Sequence, residues 1–177
     1  MFDRVLDVLV KFGADLLPFV VVVAYQNIGI LRFGKYHRTL APGFHWKIPF
    51  IEDGYPENVV PTTIRLQPQT LTTRDDVSVV VEGVVRYRVT DVEAFITKIY
   101  DQRDLLLDTS MGAVLKQVRL MDFADLATTP PENKIASEIR RQVKDYGVSI
   151  DNFTFTDLGR IRSIRIIAGS PLPNLDN

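Results

Sequence analysis

The sequence predicts an α+β domain, because strand patterns come first, helix patterns follow, and one strand pattern closes the order. Three observations carry this. Val77 to Val89 alternates, with Val77, Val79, Val81, Val85, Tyr87 and Val89 on one face and Ser78, Glu82, Arg86 and Arg88 on the other. Between Val92 and Tyr146 apolar residues recur at helical spacing in three stretches. Val148 to Leu158 then returns to strand. The expected architecture is a largely antiparallel, twisted sheet packed with about three helices and preceded by an amphipathic, apolar segment.

That segment opens the chain. Phe2, Val5, Leu6, Leu9, Phe12 and Leu16 fall on one helical face, and Asp3, Asp7, Lys11 and Asp15 on the other. Pro18 ends or kinks the helix. The uncharged run from Leu16 to Leu31 is about sixteen residues long, is interrupted by Pro18, Gln26, Asn27 and Gly29, and falls short of the roughly 20 that a span needs. A helix lying in the membrane interface fits better than one crossing it; the alternative is an ordinary core-packing helix. The expected membrane contacts are Phe2, Val5, Leu6, Leu9, Phe12, Leu16, Leu17, Phe19 and Val20. Asp3, Asp7 and Asp15 offset Arg4 and Lys11, so the start does not read as a secretory signal.

Phe19–Tyr25 and Ile28–Gly34 read as a strand pair around a Gln26–Asn27 turn. Pro42-Gly43 marks a turn before a strand over Phe44–Phe50. Asn58, Val60, Thr62, Ile64 and Leu66 alternate with polar neighbours, and Arg74-Asp75-Asp76 is the turn into the long strand. Thr90-Asp91-Val92-Glu93 reads as a capping box opening a first helix, with Val92, Phe95, Ile96 and Ile99 inside. A second helix carries Leu107, Met111, Val114, Leu115 and Val118. A third begins at a second capping box, Thr129-Pro130-Pro131-Glu132, carries Ile135, Ile139, Val143 and Tyr146, and stops at Gly147. In the last strand the inward set shifts from Val148 and Ile150 to Phe153 and Phe155, which implies a bulge near Asp151-Asn152. The domain reading is therefore 1–18 membrane-associating segment, 19–158 folded domain, and 159–177 a short tail. Gly169, Pro171 and Pro173 leave that tail no room for a long coiled coil.

The 177 residues suit one domain of ordinary size, and 46% hydrophobic with 24% charged residues suits a folded core. The formal net charge of −1 supplies no footprint for nucleic acid. The sequence has no cysteine, which excludes disulfides, thiolate metal sites and cysteine nucleophiles. His37 and His45 are the two histidines, with no third ligand at diagnostic spacing. Asp75-Asp76 reads as a turn rather than an acid–base pair. No catalytic residue, cofactor or metal is expected. Arg32, Lys35, Arg38 and Lys47 lie near the apolar segment and suit lipid head groups or, equally, the charged guard of a hairpin edge. Arg160, Ile161, Ile164 and Ile167 suit either docking on another copy or lipid, or a plain charged tail.

Three passages, in order, resemble the stomatin/prohibitin/flotillin family, the SPFH or band 7 domain. The first is Gln26-Asn27-Ile28-Gly29-Ile30-Leu31-Arg32-Phe33-Gly34-Lys35 with Ala41-Pro42-Gly43-Phe44 onward to Phe50. The second is Leu71-Thr72-Thr73-Arg74-Asp75-Asp76-Val77-Ser78-Val79 with Val81-Glu82-Gly83-Val84-Val85-Arg86-Tyr87-Arg88-Val89. The third is Tyr146-Gly147-Val148-Ser149-Ile150 followed by Phe153. The resemblance covers roughly residues 20 to 158. It implies a non-enzymatic, membrane-associated scaffold, monotopic and on the cytoplasmic face. Such a scaffold self-associates and organises lipid microdomains or membrane proteins such as a AAA protease or channel. Contact between copies is then expected at sheet edges, the third helix (Ile135, Ile139, Val143, Tyr146) or the tail (Arg160, Ile161, Ile164, Ile167). The rival expectation is a soluble SPFH-like interaction module, as in the shoulder of vault particles, with the N-terminal helix packed into the core.

Overall fold

The computed structural model describes residues 17–161. The expected helix over Phe2 to Leu16, and Ile164 and Ile167 of the tail, lie outside the described residues. The described chain runs β1 (Phe19–Val22), β2 (Gln26–Arg32), β3 (Lys35–Leu40), β4 (Gly43–Trp46), β5 (Glu52–Asn58), β6 (Thr62–Arg65), β7 (Gln69–Thr72) and β8 (Ser78–Val89). Helices α1 (Val92–Thr97), α2 (Gln102–Val118), α3 (Phe123–Thr128) and α4 (Glu132–Val143) follow, then a 3-10 turn (Lys144–Tyr146) and β9 (Val148–Arg160). The order is α+β as the patterns predict.

Among the described residues every pairing is antiparallel, and there are three sheets rather than one: β1–β4, β3–β2–β5, and a third built on β8. β9 pairs along nearly the whole of β8, from Val79↔Arg160 to Val89↔Val148. β6 and β7 therefore share the other edge of β8, end to end. The expected pairing of Phe19–Tyr25 with Ile28–Gly34 does not form. The chain turns at Val23, whose carbonyl accepts from the Gln26 amide at 3.1 Å, and β1 pairs with β4 while β2 pairs with β3 and β5. This puts Val20 and Val22 of β1 against Ile28, Ile30 and Leu40, a small core of strands alone.

The larger core lies between the β8 sheet and the helices. Val79, Val81 and Val85 of β8 and Ile150 and Phe153 of β9 meet Leu106, Val114, Leu126, Ile135 and Ile139. At about 25 cal/mol per Å² of apolar area removed from water, this layer is the main source of stability. Helix α1 joins the two cores. It crosses β2 at Gly29, where a Cβ would sit 2.5 Å from Ile96 Cδ1, so any larger residue would require the Ile96 side chain to shift.

Local signals hold with corrections. The cap of α1 is Asp91, whose side chain accepts from the Ala94 amide, and Thr90 instead donates its hydroxyl to the Gly147 carbonyl. Gly147 stops the 3-10 turn at φ +72, and a Cβ there would lie 2.2 Å from the Asp91 carbonyl oxygen. The capping box at Thr129–Glu132 does not form; Pro131 is the cap residue, and the Glu132 carboxylate accepts from the Phe155 amide at 2.9 Å. On α2 the buried set is Leu106, Ser110, Ala113, Val114 and Val118, about one residue round from the predicted stripe, and Leu115 is exposed. The run Leu105-Leu106-Leu107 leaves that phase ambiguous. Among the described residues there are four helices, where the patterns mark about three. The additional α3 is too short to show a period, and it starts where Asp75, from the turn before β8, accepts from the Phe123 amide at 3.1 Å.

The bulge is where the shifted inward set puts it. Arg86 faces Asn152 and Tyr87 faces Ile150, so Asp151 is the extra residue. Arg140 of α4 donates to the carbonyls of Ile150 and Asp151, both at 2.7 Å, and holds the kink. A second irregularity, between Glu82 and Gly83, makes Thr156 an extra residue that no sequence signal marks.

α2 and α4 are tied by Glu138, which accepts from Arg141 at 2.6 Å, Gln142 at 3.1 Å and Lys116 at 3.2 Å. The Arg141 bond and then the Lys116 bond, against some burial, hold its carboxyl down at about 2. Because this value is depressed, the stabilisation is complete above the ordinary 4.5 and disappears as pH falls through about 2. Urea melts of the protein and Glu138→Gln should therefore differ in midpoint at neutral pH and converge between about pH 4.5 and pH 2. A gap that stays constant over that range would remove Glu138 as the titrating group.

Candidate membrane-docking face

The N-terminal half carries a set of exposed apolar side chains outside its small core. In the β1–β4 ribbon Phe19 is opposite Trp46 and Val21 opposite Phe44. Because side chains alternate across a strand, these four share one face, and all four are exposed. Phe19 and Phe44 stack at 5.4 Å between centroids, and Trp46 meets Phe44 edge-on at 6.1 Å. Beyond β4, Ile48 is exposed, and Phe50, 78% exposed, stands at the tip of the turn into β5. Phe33, also 78% exposed, tips the β2–β3 turn, and its amide donates to the Ile51 carbonyl at 3.2 Å, which draws the two tips together.

Both tips are held in left-handed backbone, Phe33 at φ 51 and Phe50 at φ 63. A bulky side chain there costs about 1–2 kcal/mol. The underlying brace is Glu52, the first residue of β5 and only 1% exposed. Its carboxylate accepts from Arg32 at 2.6 Å, the Ile48 amide at 3.0 Å and Arg38 at 3.3 Å, while Arg38 also donates to the Trp46 carbonyl at 2.8 Å. Burial pushes the Glu52 carboxyl up; the Arg32 and Ile48 hydrogen bonds and the Arg38 and Arg32 charges outweigh it and hold it below the usual range. One buried carboxylate thus ties together both turns and the end of β4. The Arg32 and Arg38 side chains remain 36% and 40% exposed.

The sequence-predicted residues divide accordingly. Leu17 and Phe19 are exposed, Phe19 on the aromatic face; Val20 turns inward against the small core instead. Of the basic set, Arg32 and Arg38 are engaged by Glu52, Lys35 is exposed at the Phe33 turn, and the Lys47 amide donates to the Pro18 carbonyl at 2.9 Å. The α4 set does not offer a surface to another copy. Ile135, Ile139 and Val143 are at most 1% exposed in the larger core, and Tyr146 packs against it. Arg160 closes β9 with its guanidinium 5.9 Å from the centre of the Phe123 ring, and Ile161 is exposed beyond it. His45 hydrogen-bonds through Nε2 to the Ala41 carbonyl at 2.7 Å, and Asp75 is engaged by the Thr73 hydroxyl and the Phe123 amide. No helix among the described residues is long and apolar enough to cross a membrane.

Sequence reading missed Phe33, Phe44, Trp46, Ile48 and Phe50 as a surface, and Glu52 as its brace. A signal exists: Phe44, Trp46, Ile48 and Phe50 alternate with His45, Lys47 and Pro49.

A family model described as "SPFH domain / Band 7 family" matches residues 21–162. The chain is similar to HflK of Treponema pallidum, 31% identical over 152 residues, covering 72% of this chain and 44% of that one. It is 28% identical to HflK of Haemophilus influenzae over 131 residues, covering 72% of this chain and 32% of the relative. It is also 28% identical over 124 residues to the HflK of Escherichia coli K12, named as a modulator of FtsH protease, covering 68% and 30%. The chain spans less than half the length of these three relatives. The family match takes in β1 through the end of β9, with every strand pair and helix described above except the first two residues of β1, and on that extent the chain belongs to the SPFH/Band 7 family.

Proposed function

We propose that this chain is a membrane-docked scaffold unit that presses its N-terminal half into one leaflet and organises a membrane protein there, a membrane-bound protease first among them. The observation that carries the reading is the aromatic face from Phe19 to Trp46 with its two phenylalanine tips. An exposed apolar surface of this kind is unusual on a soluble monomer, and the mix of Trp, Phe and flanking Arg suits the level of lipid head groups. Arg32, Arg38 and Lys35 then lie where phosphates are, at about 1 kcal/mol each near an anionic surface. The protease partner is supported by the name of one HflK relative and by nothing in the site itself. The scaffold acts without catalysis. Copies meet laterally through surface outside α4, of which Leu115 and Leu120 at the end of α2 are exposed apolar examples.

Flotation of the chain, and of a form lacking residues 1–16, with phosphatidylcholine vesicles and with vesicles containing phosphatidylglycerol tests this. Both forms are expected to float, more so with the anionic lipid. If only the full form floats, the N-terminal segment is the anchor and the aromatic face is not. If neither floats, the soluble interaction module stands in its place.

A further inference from the structure

Helix α2 turns its outer face to water. Asp104, Asp108, Gly112, Leu115 and Arg119 recur there at helical spacing, and all five are exposed. They lie opposite the buried set of Leu106, Ser110, Ala113, Val114 and Val118. Gly112 stands in the interior of the helix, where glycine is less favourable than alanine. Packing within the chain does not call for it: a Cβ built there meets nothing within 4 Å outside its own stretch of helix. A helical glycine with open space above it lets a second backbone come close. Leu115, Lys116, Arg119 and Leu120 border it around a shallow hollow of about 370 Å³.

Charge along this stripe is divided. Its first half carries Asp104 and Asp108, and Arg119 stands at its end. None of these three side chains has an ion pair or hydrogen bond among the described residues. Lys116 is drawn aside by Glu138 of α4 at 3.2 Å. Such a stripe complements a reversed copy of itself. Arg119 lies seven residues beyond Gly112 and Asp104 eight before it. In an antiparallel pair crossing at Gly112, each Arg119 therefore meets the other copy's Asp104 with an offset of about 1.5 Å along the axis. Each Leu115, one turn from the crossing, enters the hollow over the other copy's Gly112. A parallel pair would instead set Arg119 on Arg119 and aspartate on aspartate.

We infer that this face of α2 is a contact between two copies of the chain, an antiparallel, two-fold helix pair centred on Gly112. The inference rests on the reading of the chain as a self-associating scaffold and gives one contact of that scaffold a place. In a two-fold pair every contact occurs twice, so one substitution acts at two points. A single helix pair buries little area, so the dimer is weak in solution and is strengthened where docking confines copies to a surface.

The sequence has no cysteine, so one introduced thiol reports the crossing. Residues that face each other across a two-fold axis at a close crossing come within disulfide reach, about 4.4–6.8 Å between Cα atoms. Gly112→Cys on phosphatidylglycerol vesicles under mild oxidation should give a cross-linked dimer. Thr154→Cys, exposed and on the face of β9 opposite Phe153 and Phe155, should stay monomeric. In sedimentation of the full chain over a concentration series, Arg119→Asp or Asp104→Arg alone should weaken association by about tenfold or more. The two together in one chain should restore it. That double variant carries the folding cost of both single changes, so its recovery reports the contact and not the stability of α2. A chain that associates in this way in solution but does not float keeps the pair and removes the membrane reading. A floating chain whose Gly112→Cys form gives no cross-link, or no more than Thr154→Cys, removes the pair. A double variant no better than the single ones also overturns the inference. So does a chain monomeric at every concentration in solution and on vesicles, which leaves the face to another protein.

Discussion

Replacing Phe33 and Phe50 together by asparagine should release the protein from vesicles while leaving it at least as stable in solution. The two rings are the most exposed apolar side chains on the docking face, and each stands at a turn tip. Transferring such a ring from water is worth roughly 1.5–3 kcal/mol, so losing both lowers partitioning by about 100-fold or more. The choice of asparagine separates docking from folding. At φ 51 and φ 63 phenylalanine is strained, whereas asparagine visits the left-handed region readily. Neither ring supports a core, so the melting temperature should hold or rise. Flotation and thermal melts on the same preparations check both halves. Undiminished flotation would refute the tips as membrane contacts, and a large fall in melting temperature would show that they pack on something the described chain does not include.

Much of the fold was legible because short-range rules act on adjacent residues. The alternation of Val77 to Val89, the stop at Gly147 and the change of inward set at Asp151 are read within a few positions, and the structure realises each. What could not be read depends on distant partners. β1 looks like half of a hairpin with β2, yet its register is set by β4 more than twenty residues later. Helix α3 is six residues long, and its first amide is held by Asp75 from 48 residues earlier. The candidate site shows the same division. Ile135, Ile139 and Val143 form a visible stripe, but a period identifies an apolar face without saying whether the chain's own sheet covers it, as it does here. The pattern Phe44, Trp46, Ile48, Phe50 likewise marks a face and is silent on its being left uncovered. Arg32 and Arg38 were visible as a basic cluster, but their shared carboxylate lies beyond two turns.

That carboxylate makes the second large effect. Glu52→Ala should destabilise the N-terminal half and weaken docking, although the Glu52 side chain is fully buried and offers a membrane nothing. Removal leaves Arg32 and Arg38 facing each other and the Ile48 amide without its acceptor, and the Nε of Arg38 is already buried and unpaired. Breaking a charge cluster by deleting its shared partner costs roughly 3–5 kcal/mol when fully buried; with both arginines partly exposed, about 2–3 kcal/mol is expected here. In a chain of this length that lowers the melting temperature by roughly 5–10 °C. Glu52→Gln keeps the shape and one acceptor oxygen, so it should fall between the protein and Glu52→Ala. The pH dependence has a definite sign. The Glu52 carboxyl is held below its ordinary value, so its contribution is present above the ordinary carboxylate range and lost as acid titrates the folded form. The difference between the protein and Glu52→Gln should accordingly be largest near neutrality and shrink in acid. The effect on docking follows from geometry: Glu52 sets the turn of Ile48 to Phe50 and, through Arg38, the end of β4, so without it the two tips lose their common support. Melting and flotation of Glu52→Ala, measured where the variant is still folded, separate the two consequences. Unchanged melting would show that the cluster carries no net stability, and unchanged flotation by the folded variant would show that the tips hold their arrangement without it.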